Sequence, residues 1–351
     1  MATAHGLKIS GTFLLLFAAA LVASPQRAMA DEGGVSLWLP GTFGSFAAAP
    51  LTQGWSLATV YYHTDIGASG AVAASRAVQV GRFNPNLSVN LNLDLNARAD
   101  LVALAPTYVF DTKIFGGQLV ASLMGVYARQ TANIDATVTG ALGPFGFGTT
   151  RSIGDSLTGF GDLYPQISLR WNQGVHNFMI YGFGNIPVGS YEASRLTNIG
   201  IGHWAIDGGA GYTYLDPTKG HEFSIVGGVT NNFRNMHTDY RNGVDYHIDW
   251  GASQFLSKQF YIGAVGYYYD QFTADSGAPA FLGEVKSRVL GVGPQMGFLF
   301  PVGDMQGALN FKAYFESNAS HRPDGWNAWV TFVVSPEAKT PGANRKLVAL
   351  K

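Results

Sequence analysis

Between Leu87 and Arg98 the chain reads LSVNLNLDLNAR, an unbroken alternation. Leu87, Val89, Leu91, Leu93, Leu95 and Ala97 share one face of an extended chain, and Ser88, Asn90, Asn92, Asp94, Asn96 and Arg98 the other, because successive side chains of a strand point to opposite sides. The period of two recurs. In QISLRW, Gln166, Ser168 and Arg170 oppose Ile167, Leu169 and Trp171; in VDYHIDW, Asp245, His247 and Asp249 oppose Val244, Tyr246, Ile248 and Trp250. In ALNFKAYFES, Asn310, Lys312, Tyr314 and Glu316 oppose Leu309, Phe311 and Phe315. The pattern predicts twelve strands, over residues 55–63, 87–110, 118–139, 162–171, 175–188, 202–215, 221–233, 244–256, 259–272, 285–300, 306–316 and 325–334.

The connections between these strands are sorted by length. Every second one is short and rich in turn residues: DTKIFGG from Asp111, NQG from Asn172, DPTKG from Asp216, SK from Ser257 and PVGDM from Pro301. The others, residues 64–86, 140–161, 189–201, 234–243, 273–284 and 317–324, are longer. An outer-membrane barrel has this sorting, with turns on the periplasmic side and loops outside, whereas a soluble sandwich of short strands has no cause for it. The predicted fold is therefore all-β, a closed antiparallel transmembrane barrel of about twelve strands.

In lipid every backbone group must be paired, so the sheet closes and the usual sense of inside and outside inverts. Leu87 to Leu95 are then expected to face acyl chains, while Asn90, Asn92, Asp94 and Arg98 face the lumen. By the same reasoning Arg170, Asp207, Glu222, Asp245, His247, Asp249, Arg288 and Lys312 are candidate lumen-lining residues. Trp171, Trp204, Trp250, Tyr267 to Tyr269, Trp326 and Trp329 suit interfacial girdles, with ordinary core packing as the alternative.

Composition agrees with a lipid-facing surface. Charged residues make up 13% of the chain, against about 25% in ordinary soluble domains, and aromatics another 13%. There is no cysteine, so no disulfide framework is available. Lys8, the apolar run from Phe13 to Ala23 and the small-residue site Ala28-Met29-Ala30 predict a secretory signal peptide over residues 1–30. The mature chain then starts near Asp31 and carries 20 basic and 23 acidic residues, a balance that points to no nucleic-acid partner. Residues 31–54, rich in Gly, Ala and Phe, are expected to form a plug or hatch in the lumen of a barrel over 55–334, with residues 335–351 as a periplasmic tail.

Motifs for chemistry are weak. Gly154-Asp155-Ser156-Leu157 spells the string of a hydrolase family, but such an enzyme needs a base and a group to orient it. The usual Asp-x-x-His block is absent, and the string falls in a predicted glycine-rich loop. His237, Asp239, Asp245, His247 and Asp249 cluster along the chain. Successive same-face residues of a strand lie about 7 Å apart, too wide to close on one ion without help from other strands. GNIPVGS from Gly184 lacks the lysine of a phosphate-binding loop. Neither a catalytic site, a metal nor a cofactor is expected. Pro106, Pro165, Pro187 and Pro294 each remove a ladder N–H, which predicts wall kinks; one of them could open the wall sideways to release an apolar solute into lipid.

The run IPVGSYEASRLTNIGIGHWAIDGGAGYTYLDPTKGHEFSIVGGVTNNFRNMHTDYRNG resembles the family of outer-membrane proteins named for the meta-pathway of phenol degradation. GVSLWLPGTFGSF, GFGDLYP, GYYYDQFTADSG and GVGPQMG are further matching pieces. The resemblance implies an outer-membrane barrel related to hydrophobic-compound channels of the long-chain fatty acid transporter class. Many barrels end in an aromatic residue, whereas this chain continues past Val334. The expected function is passive uptake of small hydrophobic or aromatic compounds, with outer-membrane lipid and the solute as partners. A barrel without conductance and a lipid-modifying barrel enzyme are the alternatives.

Overall fold

The computed structural model describes residues 37–69, 90–142, 145–277 and 286–337. These form twelve strands: β1 (Gly54–Ser69), β2 (Asn90–Ile114), β3 (Gly117–Leu142), β4 (Phe145–Gln173), β5 (His176–Gly184), β6 (Ala205–Asp216), β7 (His221–Asn232), β8 (Asp245–Phe255), β9 (Phe260–Gln271), β10 (Arg288–Val302), β11 (Met305–Ser320) and β12 (Asp324–Pro336). Each pairs antiparallel with its neighbours in sequence, and β1 closes on β12 from Leu57↔Val334 to Gly67↔Asp324, completing a barrel. No helix occurs among the described residues. The predicted signal peptide and the end of the predicted tail lie outside them.

Over the middle of the barrel the two faces divide as lipid requires. Ile206, Ile225, Val229, Ile248, Ile262 and Val292 are exposed outward, while Asp207, Glu222, Ser224, Asp245, His247 and Asp249 on alternate positions are buried within. Closure satisfies the backbone, and the apolar outer face suits a hydrocarbon surround. The β2–β3 turn is tighter than DTKIFGG suggested, because Asp111 to Ile114 remain in β2. Phe115 and Gly116 both have positive φ, 51° and 74°, the pair of left-handed conformations that a two-residue hairpin turn demands.

Three strands are far longer than a membrane needs. β2, β3 and β4 have 25, 26 and 29 residues, whereas about ten cross a bilayer. Residues 145–161, expected as loop, are strand: β3 and β4 stay paired out to Leu142↔Phe145. Glycine here marks close approach rather than a loop, since a Cβ on Gly154 would lie 2.4 Å from Asn133 Oδ1. Similarly, β11 runs through Ser320, into the stretch expected as the last loop.

This extension overturns the expected orientation of the LSVNLNLDLNAR segment. On β2, Val102 and Leu104 are 45% and 51% exposed and Ala103 is buried. Counting upward by twos puts Arg98 and Asp94 on the outer face, where both are exposed. Leu93 and Leu95, 3% and 7% exposed, face inward and pack with Ala132, Ile134 and Leu196. The alternation never breaks; the surroundings change. Above the lipid the outer face meets water, so the polar set belongs outside and the leucines build a small core. Arg98 Nε meets Asp65 Oδ2 at 2.7 Å on that outer face. The backbones of Asn90 and Asn92 pair with Thr139 and Thr137, and their side chains lie outside the described residues.

Candidate lumenal site

Residues 37–50 lie inside the barrel and have no strand partner. Their backbone groups still need partners, and lumen-facing side chains supply them. Lys312 Nζ on β11 donates to the carbonyls of Gly41 (2.7 Å) and Phe43 (3.3 Å). Glu222 Oε1 on β7 accepts from the Phe46 amide at 2.8 Å, and Thr213 Oγ1 on β6 from the Ala48 amide at 2.9 Å. Arg170 on β4 donates to the Ala49 carbonyl at 3.0 Å. The Ser45 hydroxyl lies 2.9 Å from that of Ser253 on β8 and accepts from Gln295 on β10 at 2.6 Å. Strands from β4 round to β11 thus hold one short segment from several sides.

At the centre, His247 is fixed between two carboxylates. Its Nδ1 is 3.2 Å from Asp249 Oδ2 and its Nε2 3.2 Å from Asp207 Oδ2, all fully buried. Thr230 donates to Asp207 at 2.6 Å, and the Tyr181 hydroxyl stands 3.3 Å from His247 Nε2. Around this group, rings from the wall and from the segment alternate in a column: Tyr269, Trp38, His247, Phe43, Tyr181. Successive centroids are 5.8, 4.4, 6.4 and 4.9 Å apart, and the first three contacts are within 14° of parallel. Tyr267 meets Trp38 edge-on at 5.9 Å and is itself held by Glu316 (2.7 Å) and Asn327 (2.9 Å).

Of the candidate lumen residues, Arg170, Asp207, Glu222, Asp245, His247, Asp249 and Lys312 point inward; Asp245 accepts from Asn232 at 2.9 Å. Arg288 does not line the lumen. It opposes Asp270 at the start of β10, out of phase with Val289, which is fully buried in the interior cluster. Asp94 and Arg98 are outward, as described above. Trp204 and Trp326 are exposed on the outer face, but Tyr267, Tyr269 and Trp329 are buried interior rings. Period-two reasoning could have placed Tyr267 and Tyr269 inward once His247 was, since Tyr269 is its cross-strand partner. Trp38 and Phe43 belong to an irregular segment, where no periodicity applies.

Asp162 is another residue that carries the site without a sequence signal of its own. A bulge sets two residues of β4 against one of β3 between Tyr127↔Phe160 and Gly125↔Leu163 and turns Asp162 inward. There it accepts from Asn185 (2.8 Å) and from the amides of Gly189 (2.9 Å) and Ile201 (3.2 Å), tying the β5–β6 connection to the barrel mouth. Higher on β4, the Asp155 of the hydrolase-like string accepts from Arg195 (2.6 Å) and from the amide and hydroxyl of Thr197, so that aspartate is a loop latch. No group of three or more His, Cys, Asp or Glu fit to hold a metal is found among the described residues.

The prolines differ in position. Pro187 follows β5 and lies in a connection. Pairing lapses beside the other three on one side only: Pro106 toward β3, Pro165 toward β5 and Pro294 toward β11. In β2 and β10 the register is the same on both sides of the lapse, so each is a local gap without a bulge. Beside Pro294 lies an open cavity of about 680 Å³, lined by Glu222, Ser253 and Gln295 of the inward row and Ile262 and Met296 of the outward row.

A closed antiparallel barrel with an apolar outer band and an internally held N-terminal segment defines an outer-membrane barrel. A family model described as "Putative MetA-pathway of phenol degradation" matches residues 68–332, and the chain belongs to that family. Among solved structures, an outer membrane channel from Pseudomonas putida F1 is similar in fold, with a TM-score of 0.58 and 13% identity, covering 85% of this chain and 99% of that one. A FadL homologue from Pseudomonas aeruginosa is a looser likeness, at a TM-score of 0.39 and 8% identity, covering 81% and 89%. No curated protein matches the chain.

Proposed function

We propose that the protein is a passive channel that takes up small hydrophobic or aromatic compounds across the outer membrane, with residues 37–50 as its plug. The observation that carries this reading is the column of rings: an interior lined by Tyr181, His247 and Tyr269 is filled by an irregular segment with no strand partner rather than by strand side chains alone. A barrel meant only as a scaffold would fill its interior from its own wall. No energy source or cofactor enters the mechanism. The solute is gathered at the mouth, passes as the segment shifts, and leaves the lumen downward or through the wall at the lapse in pairing between Pro294 and β11.

The enzyme alternative finds little support. A rim hydroxyl–imidazole pair exists, Ser320 Oγ and His321 Nδ1 at 3.0 Å, but the same nitrogen faces the Lys286 carbonyl at 3.2 Å. A nitrogen that donates to a carbonyl cannot accept the serine proton. The test of the channel is uptake of labelled toluene, phenol and a fatty acid into proteoliposomes. Flux of at least one above empty vesicles is expected; no flux of any would return the protein to the class of non-conducting barrels.

A further inference from the structure

The ring column deepens the channel reading, on which it rests, by naming what the site binds. Trp38 and Phe43 are the only members that do not belong to the wall: they come from the irregular segment, and each lies beside wall rings that are independently fixed. His247 is held by two carboxylates and Tyr267 by Glu316 and Asn327. Rings held in this way keep their spacing when the occupant leaves, which is the condition for a preformed aromatic site.

The polar surroundings add a second requirement. Oδ1 of Asp207 is buried with no hydrogen-bond partner among the described residues. A buried carboxylate oxygen without a donor is costly and rare; a ligand bearing an O–H or N–H beside its ring would supply one. An aliphatic chain meets neither demand. A planar ring with a donor at its edge meets both.

We infer that the gaps beside Tyr269, His247 and Tyr181 are binding slots for a planar aromatic solute carrying a hydroxyl or ring N–H donor, and that Trp38 and Phe43 are built-in ligands which such a solute replaces. Binding and displacement of the plug are then one event, so the solute class that fits the slots is the class that opens the channel.

The full-length protein in detergent, with folding checked by heat-resistant migration, is titrated with phenol, anisole and cyclohexanol by ligand-observed NMR. Anisole keeps the ring and lacks the donor; cyclohexanol keeps the donor and lacks the plane. Trp38→Ala is expected to bind phenol at least about tenfold more tightly than the parent, with anisole and cyclohexanol each several-fold weaker than phenol. Equal affinity of the three for folded Trp38→Ala, or no gain over the parent, would overturn the assignment. Phe43→Ala vacates the neighbouring slot and decides the question by the same comparison if Trp38→Ala does not fold. The channel reading fails separately: selective binding without phenol flux in proteoliposomes would remove transport and leave the site, whereas flux without selective binding would do the reverse.

Discussion

Lys312 Nζ lies 2.7 Å from the Gly41 carbonyl, and through that hydrogen bond strand β11 holds the N-terminal segment across the lumen. The same ammonium sits 5.0 Å from the ring centre of its cross-strand partner Trp329 on β12, which helps fix its position. A hydrogen bond from a charged donor contributes about 1.5–3 kcal/mol, and each 1.4 kcal/mol is a factor of about ten in population. Lys312→Met should therefore raise the undocked fraction of the plug roughly tenfold or more, read as faster phenol entry into proteoliposomes. Unchanged entry with an intact barrel would remove Lys312 from the plug's restraint.

The two ends of β2 should fail differently. Leu104 faces lipid, so Leu104→Arg should cost about 2–4 kcal/mol of insertion near the bilayer midplane, seen as loss of the folded, heat-resistant band. Leu93 packs inward beyond the lipid, so Leu93→Asp should leave the barrel inserted and loosen the β2–β4 extension, seen as new protease cleavage there. The reverse pattern would put the lipid boundary elsewhere on the strand.

That contrast also separates what was legible in the residues from what was not. The count of twelve strands and their antiparallel order could be read because alternation and turn residues are local signals. Which face is which could not, because a strand such as β2 keeps one alternation while its surroundings pass from lipid to water. Residues 145–161 read as loop because their glycines, which allow close pairing with β3, look the same in sequence as those of a flexible link. The lumen charges at Asp207, His247, Asp249 and Lys312 were found because polar residues on a period of two are conspicuous between apolar ones. Trp38 and Phe43 became visible only when the fold brought their non-periodic segment against the wall.

Asp155 should make the β5–β6 connection sensitive to acid. Burial raises its carboxyl, but the Thr197 amide and hydroxyl and the Arg195 guanidinium outweigh burial and hold it below its ordinary value. A carboxyl lowered in the folded state stabilises above the ordinary carboxylate range and loses that stabilisation as pH falls through its folded value. Amide protection over residues 195–198 should thus be constant from neutral pH to about 5 and decline below about 4. Asp155→Asn should lower it at every pH. Protection indifferent to both changes would show that Asp155 is not the latch.

Pro294 offers a test of sideways exit. Pro294→Ala restores a backbone N–H where pairing with β11 lapses, and if solute leaves there, uptake should fall several-fold. Pro106→Ala restores the same group on β2, away from the cavity, and should leave uptake unchanged. Equal behaviour of the two variants would place the exit elsewhere.

In a plugged channel of this kind, solute passes only when the segment at residues 37–50 moves. Ser45 and Ser253 have their hydroxyl oxygens 2.9 Å apart, a separation from which two sulfur atoms can bond, and the chain has no cysteine to compete. The measurement is phenol flux through Ser45→Cys/Ser253→Cys protein in proteoliposomes, oxidised and then reduced. Flux should stop when the disulfide pins the segment to β8 and return with dithiothreitol; equal flux in both states would mean that solute passes with the segment fixed.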